Sequence, residues 1–446
     1  MHPGDPKLIK LDRDMRAEGD AEWRNHTVPL MVHGDGGMFS RKNSDSLVSV
    51  QFKSWLAATF RTFIFPIWAV VKSASTLECR LTLWQETVHC FNSMFLGVHH
   101  SVDSYGAPVT GEMAKLAGTA ICGGLKFVVW ICNPDLEYLS NELKYPHFNS
   151  NRPCWNCSVE NFEGARLPMT DLSTTAGWLS TILTTEESIC CPCTDHPIGS
   201  LHGTCRHMAP GDVMHSGDLG LLLSLLGGTC HELVYDGTFE GTEQARCGEL
   251  WSLIQAKYTA RNTESRMTAF TLQHFKATND FNELRHTKAA ISQCLLFVMR
   301  EILEGLNTYS DRDRHRLQCY EDICHIYNTW KNADRFLTDA EADDCMACYK
   351  SFCEHYAWLL QYSLGKGHMN YGIKFKMHSF YHIVESSRWQ NPRFCWNYEF
   401  EDWMMTVLSM AKAAMPGSPM HIIGNKVLQN AYVVLDLQLK DGFCLV

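Results

Sequence analysis

The chain has 446 residues, of which 45% are hydrophobic and 20% charged, fractions typical of a folded protein and too apolar for a disordered one. Its formal net charge of -10 excludes a chain that coats nucleic acid with a uniformly basic surface. The N-terminus lacks the apolar stretch of a secretory signal, and apolar runs such as 63–71 fall far short of the roughly 18 residues that span a bilayer. We therefore expect a soluble intracellular protein with no membrane partner. Its 20 cysteines are then expected to be reduced or metal-bound.

The first predicted elements are three strands between Thr27 and about Val71. The segment TVPLMVHGD is apolar and ends in Asp35, and Gly36 and Gly37 after it indicate a turn. Two further segments, SLVSVQFKSWLA and TFIFPIWAVV, are rich in the β-branched and aromatic residues that favour strands.

A crossover follows these strands. A helix is predicted over roughly Leu77–Val98, with Ser75 or Thr76 as its N-cap. A fourth strand, GLKFVVWICNPD, then leads to Asp135, and the short helix LEYLSNELKY comes after it. Such a crossover places the first and fourth strands side by side and parallel. Asp35 and Asp135 are then expected at one edge of the sheet, where open α/β sheets hold their functional groups.

The remainder of the chain is predominantly helical. Apolar stripes at helical spacing from Thr242 to Trp389 predict an all-α insertion. A further helix is predicted from about Asn397, with Phe400 on its buried stripe and Glu401 about 100° from it. The predicted division is a short N-terminal extension (1–24), a first part of an α/β core that includes the Cys-x-x-Cys segment (25–235), the all-α insertion (240–375) and C-terminal helices that complete the core (376–446).

Three carboxylates are the strongest candidates for chemistry. Asp35, Asp135 and Glu401 would supply the hard oxygen ligands that Mg²⁺ and Mn²⁺ prefer. Two such ions can activate the attacking oxygen and stabilise the leaving oxygen of a phosphoryl transfer. Each acid also has a structural interpretation. Asp35 could belong to a turn and Asp135 could cap a helix, while Glu401 could lie on a solvated helix face with Glu399 and Asp402 as rivals.

A second candidate site is Cys154-x-x-Cys157, whose spacing suits zinc. The pair supplies half of a site, and two unliganded thiols are the alternative. The other ligands could come from a later group of residues, namely Cys190, Cys191, Cys193, His196, His202 and Cys205.

A third candidate is Asp212-x-x-His215, because a histidine beside a carboxylate can orient a phosphate or a water. A loop or a capping motif is the structural alternative. The apolar run LGLLLSLL that follows predicts a helix or a buried strand.

Four ordered stretches together resemble the eukaryotic DDE transposases, in particular the CACTA-like branch. They are VPLMVHGDGG, KFVVWICNPDLEYLSNELKYPHF with RPCWNC close behind, DVMHSGDLG, and NPRFCWNYEFEDWM, and they cover roughly residues 25 to 415. The resemblance implies an RNase H-like α/β fold, a mixed sheet with flanking helices, interrupted by a large all-α insertion. It implies that Asp35, Asp135 and Glu401 are the catalytic ligands of two Mg²⁺ or Mn²⁺ ions. Glu401 fits the pattern aromatic-x-x-Glu-Asp-aromatic better than Glu399 does.

The resemblance also implies a function, DNA strand cleavage and transfer during transposition. His215 and Asp212 would contact the DNA phosphate, and the partners would be transposon ends and target DNA, bound in the nucleus by a homo-oligomer. Family members carry an N-terminal DNA-binding region, whereas the first acid here lies about thirty residues from the start, so a truncated form is expected. The alternatives are a domesticated or decayed transposase that acts as a non-catalytic DNA-associated or scaffold protein, and a zinc-dependent interaction module centred on Cys154 and Cys157.

Overall fold

A computed structural model describes residues 2–40, 45–57, 63–190, 194–236, 238–275, 280–306 and 310–442. The chain forms two compact units. The first comprises Met1–Phe148, Leu183–Pro210 and Cys395–Val446, and the second comprises Asn149–Ile182 and Gly211–Phe394. This division differs from the one predicted from the sequence, because the Cys-x-x-Cys segment and residues 376–394 belong to the second unit together with the helical block.

The first unit is built around strands. In chain order its elements are α1 (Pro6–Ala17), β1 (Thr27–Ser40), β2 (Asp45–Ser54), β3 (Phe65–Val71), α2 (Leu77–Leu96), α3 (Gly111–Leu116), β4 (Lys126–Cys132), α4 (Leu136–Asn141) and α5 (Thr185–Cys190). Thr76 caps α2, because its side chain accepts a hydrogen bond from the backbone N–H of Cys79. Of the two residues predicted for this position, Thr76 is therefore the N-cap.

The described strands form a mixed sheet in the order β3-β2-β1-β4. Strand β1 is antiparallel to β2 and parallel to β4, and its pairing with β4 runs from Thr27↔Lys126 to Val32↔Cys132. The predicted parallel neighbourhood of the first and fourth strands is confirmed. So is the broader α/β class, since helices accompany a mixed sheet.

Strand β1 is longer than the sequence indicates, and the predicted turn at Gly36 and Gly37 is wrong. The strand runs through both glycines and continues to pair with β2 up to Ser40. Glycine is needed here for close packing instead. A Cβ atom on Gly34 would lie 2.4 Å from the Tyr138 ring, and one on Gly37 would lie 2.5 Å from a methyl group of Leu408.

The second unit is helical in its later part, as predicted. The run after His215 forms a π-helical segment, Met214–Leu221, that continues into a helix rather than a strand. The helices are α6 (Leu222–Tyr235), α7 (Glu243–Ala260), α8 (Ala289–Leu306), α9 (Asp311–Asn332), α10 (Asp339–Gly365) and α11 (Phe375–Ser386). Residues 149–182 contain turns, bends and a 3₁₀ segment, Gly177–Thr181.

The chain then returns to the first unit with α12 (Tyr398–Ala414) and α13 (Met420–Gly442). The predicted burial of Phe400 is confirmed, and Met404, Val407 and Ala411 complete the buried stripe of α12. None of the helices in the described ranges has both the length and the apolar character that crossing a bilayer requires.

Candidate functional site

The first two predicted acids lie at one edge of the sheet. The last residue pair of the parallel strands is Val32↔Cys132, and Asp35 and Asp135 each come three residues after it. Both side chains are half-buried. They line the same cleft, of about 110 Å³, together with Lys72 and other residues. The parallel register therefore brings two carboxylates from positions a hundred residues apart to one opening.

Asp135 has the capping role that its position allowed. It is the N-cap of α4, and its Oδ1 accepts a hydrogen bond of 2.6 Å from the backbone N–H of Tyr138. The ring of Tyr138 lies against Gly34, next to Asp35. Burial raises the pKa of the Tyr138 hydroxyl well above its usual value, and the charges of Glu142 and Asp35 add to the rise. Tyr138 therefore lies next to both acids. Capping of α4 uses Oδ1 of Asp135 and leaves the second oxygen of this carboxylate.

Helix α12 packs on the face of β1 and β2 that carries the side chain of His33. The ring of Phe400 stacks on the ring of His33, with centroids 4.6 Å apart and planes 8° apart. One helical turn later, Met404 Sδ accepts a hydrogen bond of 3.3 Å from the hydroxyl of Ser49, the β2 residue paired with Asp35. The helix therefore runs along β1 in the direction of the first acid.

Glu399 and Glu401 lie on opposite sides of Phe400, because consecutive helical residues are about 100° apart. Glu399 forms an ion pair with Lys53 of β2. Glu401 lies in the first turn of α12, on the other side of Phe400 from this ion pair.

A buried asparagine connects the end of β4 to the start of α12. Asn133, two residues before Asp135, donates hydrogen bonds to the backbone carbonyl of Cys395 at 2.5 Å and to Oδ1 of Asn397 at 3.2 Å. Asn397 precedes Glu401 by one helical turn, so the two lie on the same face of the helix. Glu399 is engaged by Lys53, and the choice of Glu401 as the third acid stays a prediction.

Asp212 and His215 lie in the second unit, at the start of the π-helical segment. Asp212 is buried, and its Oδ2 accepts hydrogen bonds from the backbone N–H of His215 at 2.9 Å and from the ring Nδ1 at 2.7 Å. The capping interaction that the sequence allowed is present. The carboxylate also fixes the imidazole ring.

The two cysteines lie beside two histidines that sequence reasoning did not single out. The ligand atoms of Cys154, Cys157, His378 and His382 all lie within 4.8 Å of one another. Both histidines are on α11, and their spacing of four in KMHSFYHIVE was the available signal. Of the ligands proposed between positions 190 and 205, the described ones belong to the first unit, while Cys191 and Cys193 lie outside the described residues.

The electrostatics of this cluster favour a thiolate next to an imidazolium. Burial opposes ionisation of Cys154, but the hydrogen bond from Cys157 and the fields of His382 and His378 hold its pKa well below the usual value. Burial also lowers the pKa of His382, and the negative charge on Cys154 outweighs this effect and raises it to about 10. Cys154 and His382 therefore form a charged pair inside the second unit, whereas burial lowers the pKa of His378 and the hydrogen bond with Cys154 raises the pKa of Cys157.

No known protein family matches the chain, and no curated protein sequence is significantly similar to it. A functional assignment must therefore depend on the residues and their arrangement.

Proposed function

We propose that the first unit is the RNase H-like catalytic core of a DDE transposase of the CACTA-like type, which cleaves and transfers DNA strands. The observation that carries the proposal is the convergence of Asp35 and Asp135 on one cleft at the edge of the sheet. The sheet order β3-β2-β1-β4, with β1 and β4 parallel, is the order such a core requires for its first two acids to meet.

The donor set fits the metals that this chemistry uses. Carboxylate oxygens are the ligands preferred by Mg²⁺ and Mn²⁺, and the half-buried acids can reach both an ion and a substrate. Asp35, Asp135 and Glu401 would hold the ions. Two bound ions would activate the attacking oxygen and stabilise the leaving oxygen of an in-line displacement at phosphorus.

The chain's own residues would position these acids. The backbone N–H of Tyr138 holds one oxygen of Asp135, so the side chain has a defined orientation before any ion binds. Asn133 ties the end of β4 to the start of α12. The cation of Lys72 lines the same cleft and would offset part of the negative charge of a DNA phosphate.

The partners proposed for this activity are transposon ends and target DNA, bound by a homo-oligomer in the nucleus. His215, held by Asp212, is proposed to contact the DNA phosphate. The DNA partners and the phosphate contact of His215 follow from the resemblance of the ordered motifs to those of the transposase family.

The experiment is a nicking assay with the full chain, Mn²⁺ and DNA taken from the sequences that flank its gene. Asp135→Asn is the informative variant, because asparagine caps a helix as well as aspartate does but lacks the charge. Glu137→Gln, which removes a charge from the same cleft, is the control. We expect nicking by the wild type and the control and its loss in Asp135→Asn. Equal nicking by Asp135→Asn, or none by the wild type, would refute the proposal in favour of a non-catalytic DNA-associated protein.

A further inference from the structure

We propose that Cys154, Cys157, His378 and His382 bind one Zn²⁺ ion as a closed structural centre that anchors residues 149–182 to α11. The inference does not depend on the proposed DNA chemistry, since all four ligands belong to the second unit.

The donor set is the first argument. Two thiolates and two imidazoles form the Cys₂His₂ combination found in structural zinc sites. Zn–S bonds of about 2.3 Å and Zn–N bonds of about 2.0–2.1 Å place the ligand atoms of a tetrahedron about 3.5 Å apart. Cys157 Sγ and His378 Nε2 are 3.3 Å apart, and all four ligand atoms lie within 4.8 Å of one another. The cluster therefore has the size of a zinc site.

Backbone geometry at the cysteines is the second argument. The N–H of Asn156 donates a hydrogen bond of 3.3 Å to Cys154 Sγ. The first sulfur thus receives a donor from the residue two positions later. Donors of this kind stabilise thiolates, which are the form that binds metal.

The histidines supply the third argument. His378 and His382 are four residues apart on α11, so their rings project from one face of the helix. Nδ1 of His382 lies 3.1 Å from the carboxylate of Glu385. Its Nε2 is buried and meets no group at hydrogen-bond geometry, as expected for a nitrogen reserved for a metal ion. Such a carboxylate–histidine pair fixes the tautomer and strengthens the ligand.

Burial makes the centre structural rather than catalytic. Cys157 and both histidines are buried. The indole of Trp178 packs edge-on against His378 at 4.6 Å and against Tyr381 at 5.0 Å. Four protein ligands complete a tetrahedron, whereas catalytic zinc keeps a position for water or substrate. Residues 149–182 have little regular secondary structure, so a metal crosslink to α11 would fix a segment that backbone hydrogen bonds alone do not.

The first experiment measures the metal content of the full chain purified without chelators. We expect one zinc per chain, and we expect Co²⁺ exchanged into the protein to show the absorption of tetrahedral thiolate coordination. Cys154→Ser should abolish both signals. Cys294→Ser, which alters another half-buried cysteine of the same unit, should retain them.

Glu385→Gln provides a test that does not depend on a ligand variant folding. It keeps all four ligands, and we expect zinc affinity to fall about 10- to 100-fold, the usual cost of losing such a partner. A wild-type protein that contains no zinc and takes up Co²⁺ without thiolate bands would overturn the proposal. A disulfide between Cys154 and Cys157 in the purified protein, found by mass spectrometry, would overturn it as well.

Discussion

The carboxylate cleft of the first unit and the Cys/His cluster of the second are both suited to metal ions, but their surroundings differ. Asp35 and Asp135 are half-buried and open into a cleft, and their oxygens suit ions that exchange ligands with a substrate. Cys157, His378 and His382 are buried, and their donors suit an ion that does not exchange. Exposure and ligand chemistry therefore distinguish the proposed site for reaction from the proposed site for stability.

The two sites also differ in what positions them. The acids are fixed by the register of β1 and β4 and by α12 packed on the sheet. The cysteines come from a segment with little regular structure, and the histidines from a helix more than two hundred residues later. The cleft should therefore keep its shape without metal, whereas the conformation of residues 149–182 should depend on bound zinc.

The largest expected effect is that of zinc removal. A ligand present at about 1,000 times its dissociation constant stabilises the folded state by about 4 kcal/mol. We expect a chelator to lower the stability of the second unit by an amount of this order. Hydrogen–deuterium exchange should accelerate in residues 149–182 and α11 but not in the sheet. Equal acceleration of exchange in both units, or no acceleration in either, would contradict the expected dependence of residues 149–182 and α11 on zinc.

The second prediction concerns the two rival glutamates. Glu401→Gln should lower Mn²⁺-dependent nicking by about 10²-fold or more, a loss typical of removing one group that stabilises transition-state charge. Glu399→Gln should have a small effect, because glutamine still offers an acceptor to Lys53. The reverse ranking, with both variants melting like the wild type, would identify Glu399 as the third acid.

The third prediction tests the packing beside the first acid. Gly34→Ala would place a methyl group 2.4 Å from the Tyr138 ring and should destabilise the first unit by about 1–3 kcal/mol through overpacking. Gly36→Ala is the matched control, since its Cβ would meet its nearest neighbours at 3.7 Å. Chemical denaturation compares the two variants. An equal loss in both would mean that backbone freedom, rather than the contact with Tyr138, requires glycine here.

The smallest expected effect is a pH dependence in the first unit. Burial, together with the charge of Lys144, lowers the pKa of His196 to about 3. Between pH 6.5 and about 3 the unfolded chain binds a proton that the folded chain does not, so stability falls as the pH decreases through this window. The contribution is about 1–2 kcal/mol at pH 5. His196→Asn keeps an acceptor for the N–H of Ile198. Denaturation at pH 7 and pH 5 should show a smaller difference in unfolding free energy for this variant than for the wild type. An unchanged difference would contradict the assignment to His196.

Much of the first unit could be predicted because its signals are local. Apolar segments around one crossover helix were sufficient to place β1 beside β4, and the N-cap Thr76 and the buried stripe of α12 follow from spacing alone. The glycines after Asp35 indicate a turn by their sequence, but the strand continues through them and Gly37 packs against Leu408, a contact that leaves no mark in the neighbouring sequence.

The second unit was harder to predict for the same reason. The Cys-x-x-Cys spacing indicates half of a zinc site, but the two histidines beside it lie far along the chain, and nearer residues such as Cys205 and His202 are equally suitable by spacing. Only folding brings Cys157 and His378 to 3.3 Å.

The three-carboxylate assignment is tested most directly by anomalous X-ray scattering from crystals of the full chain soaked in Mn²⁺. We predict two ions about 4 Å apart in the cleft, with oxygens of Asp35, Asp135 and Glu401 among their ligands. A cleft that stays free of manganese at saturating concentration, or ions that Glu399 holds in place of Glu401, would contradict the account.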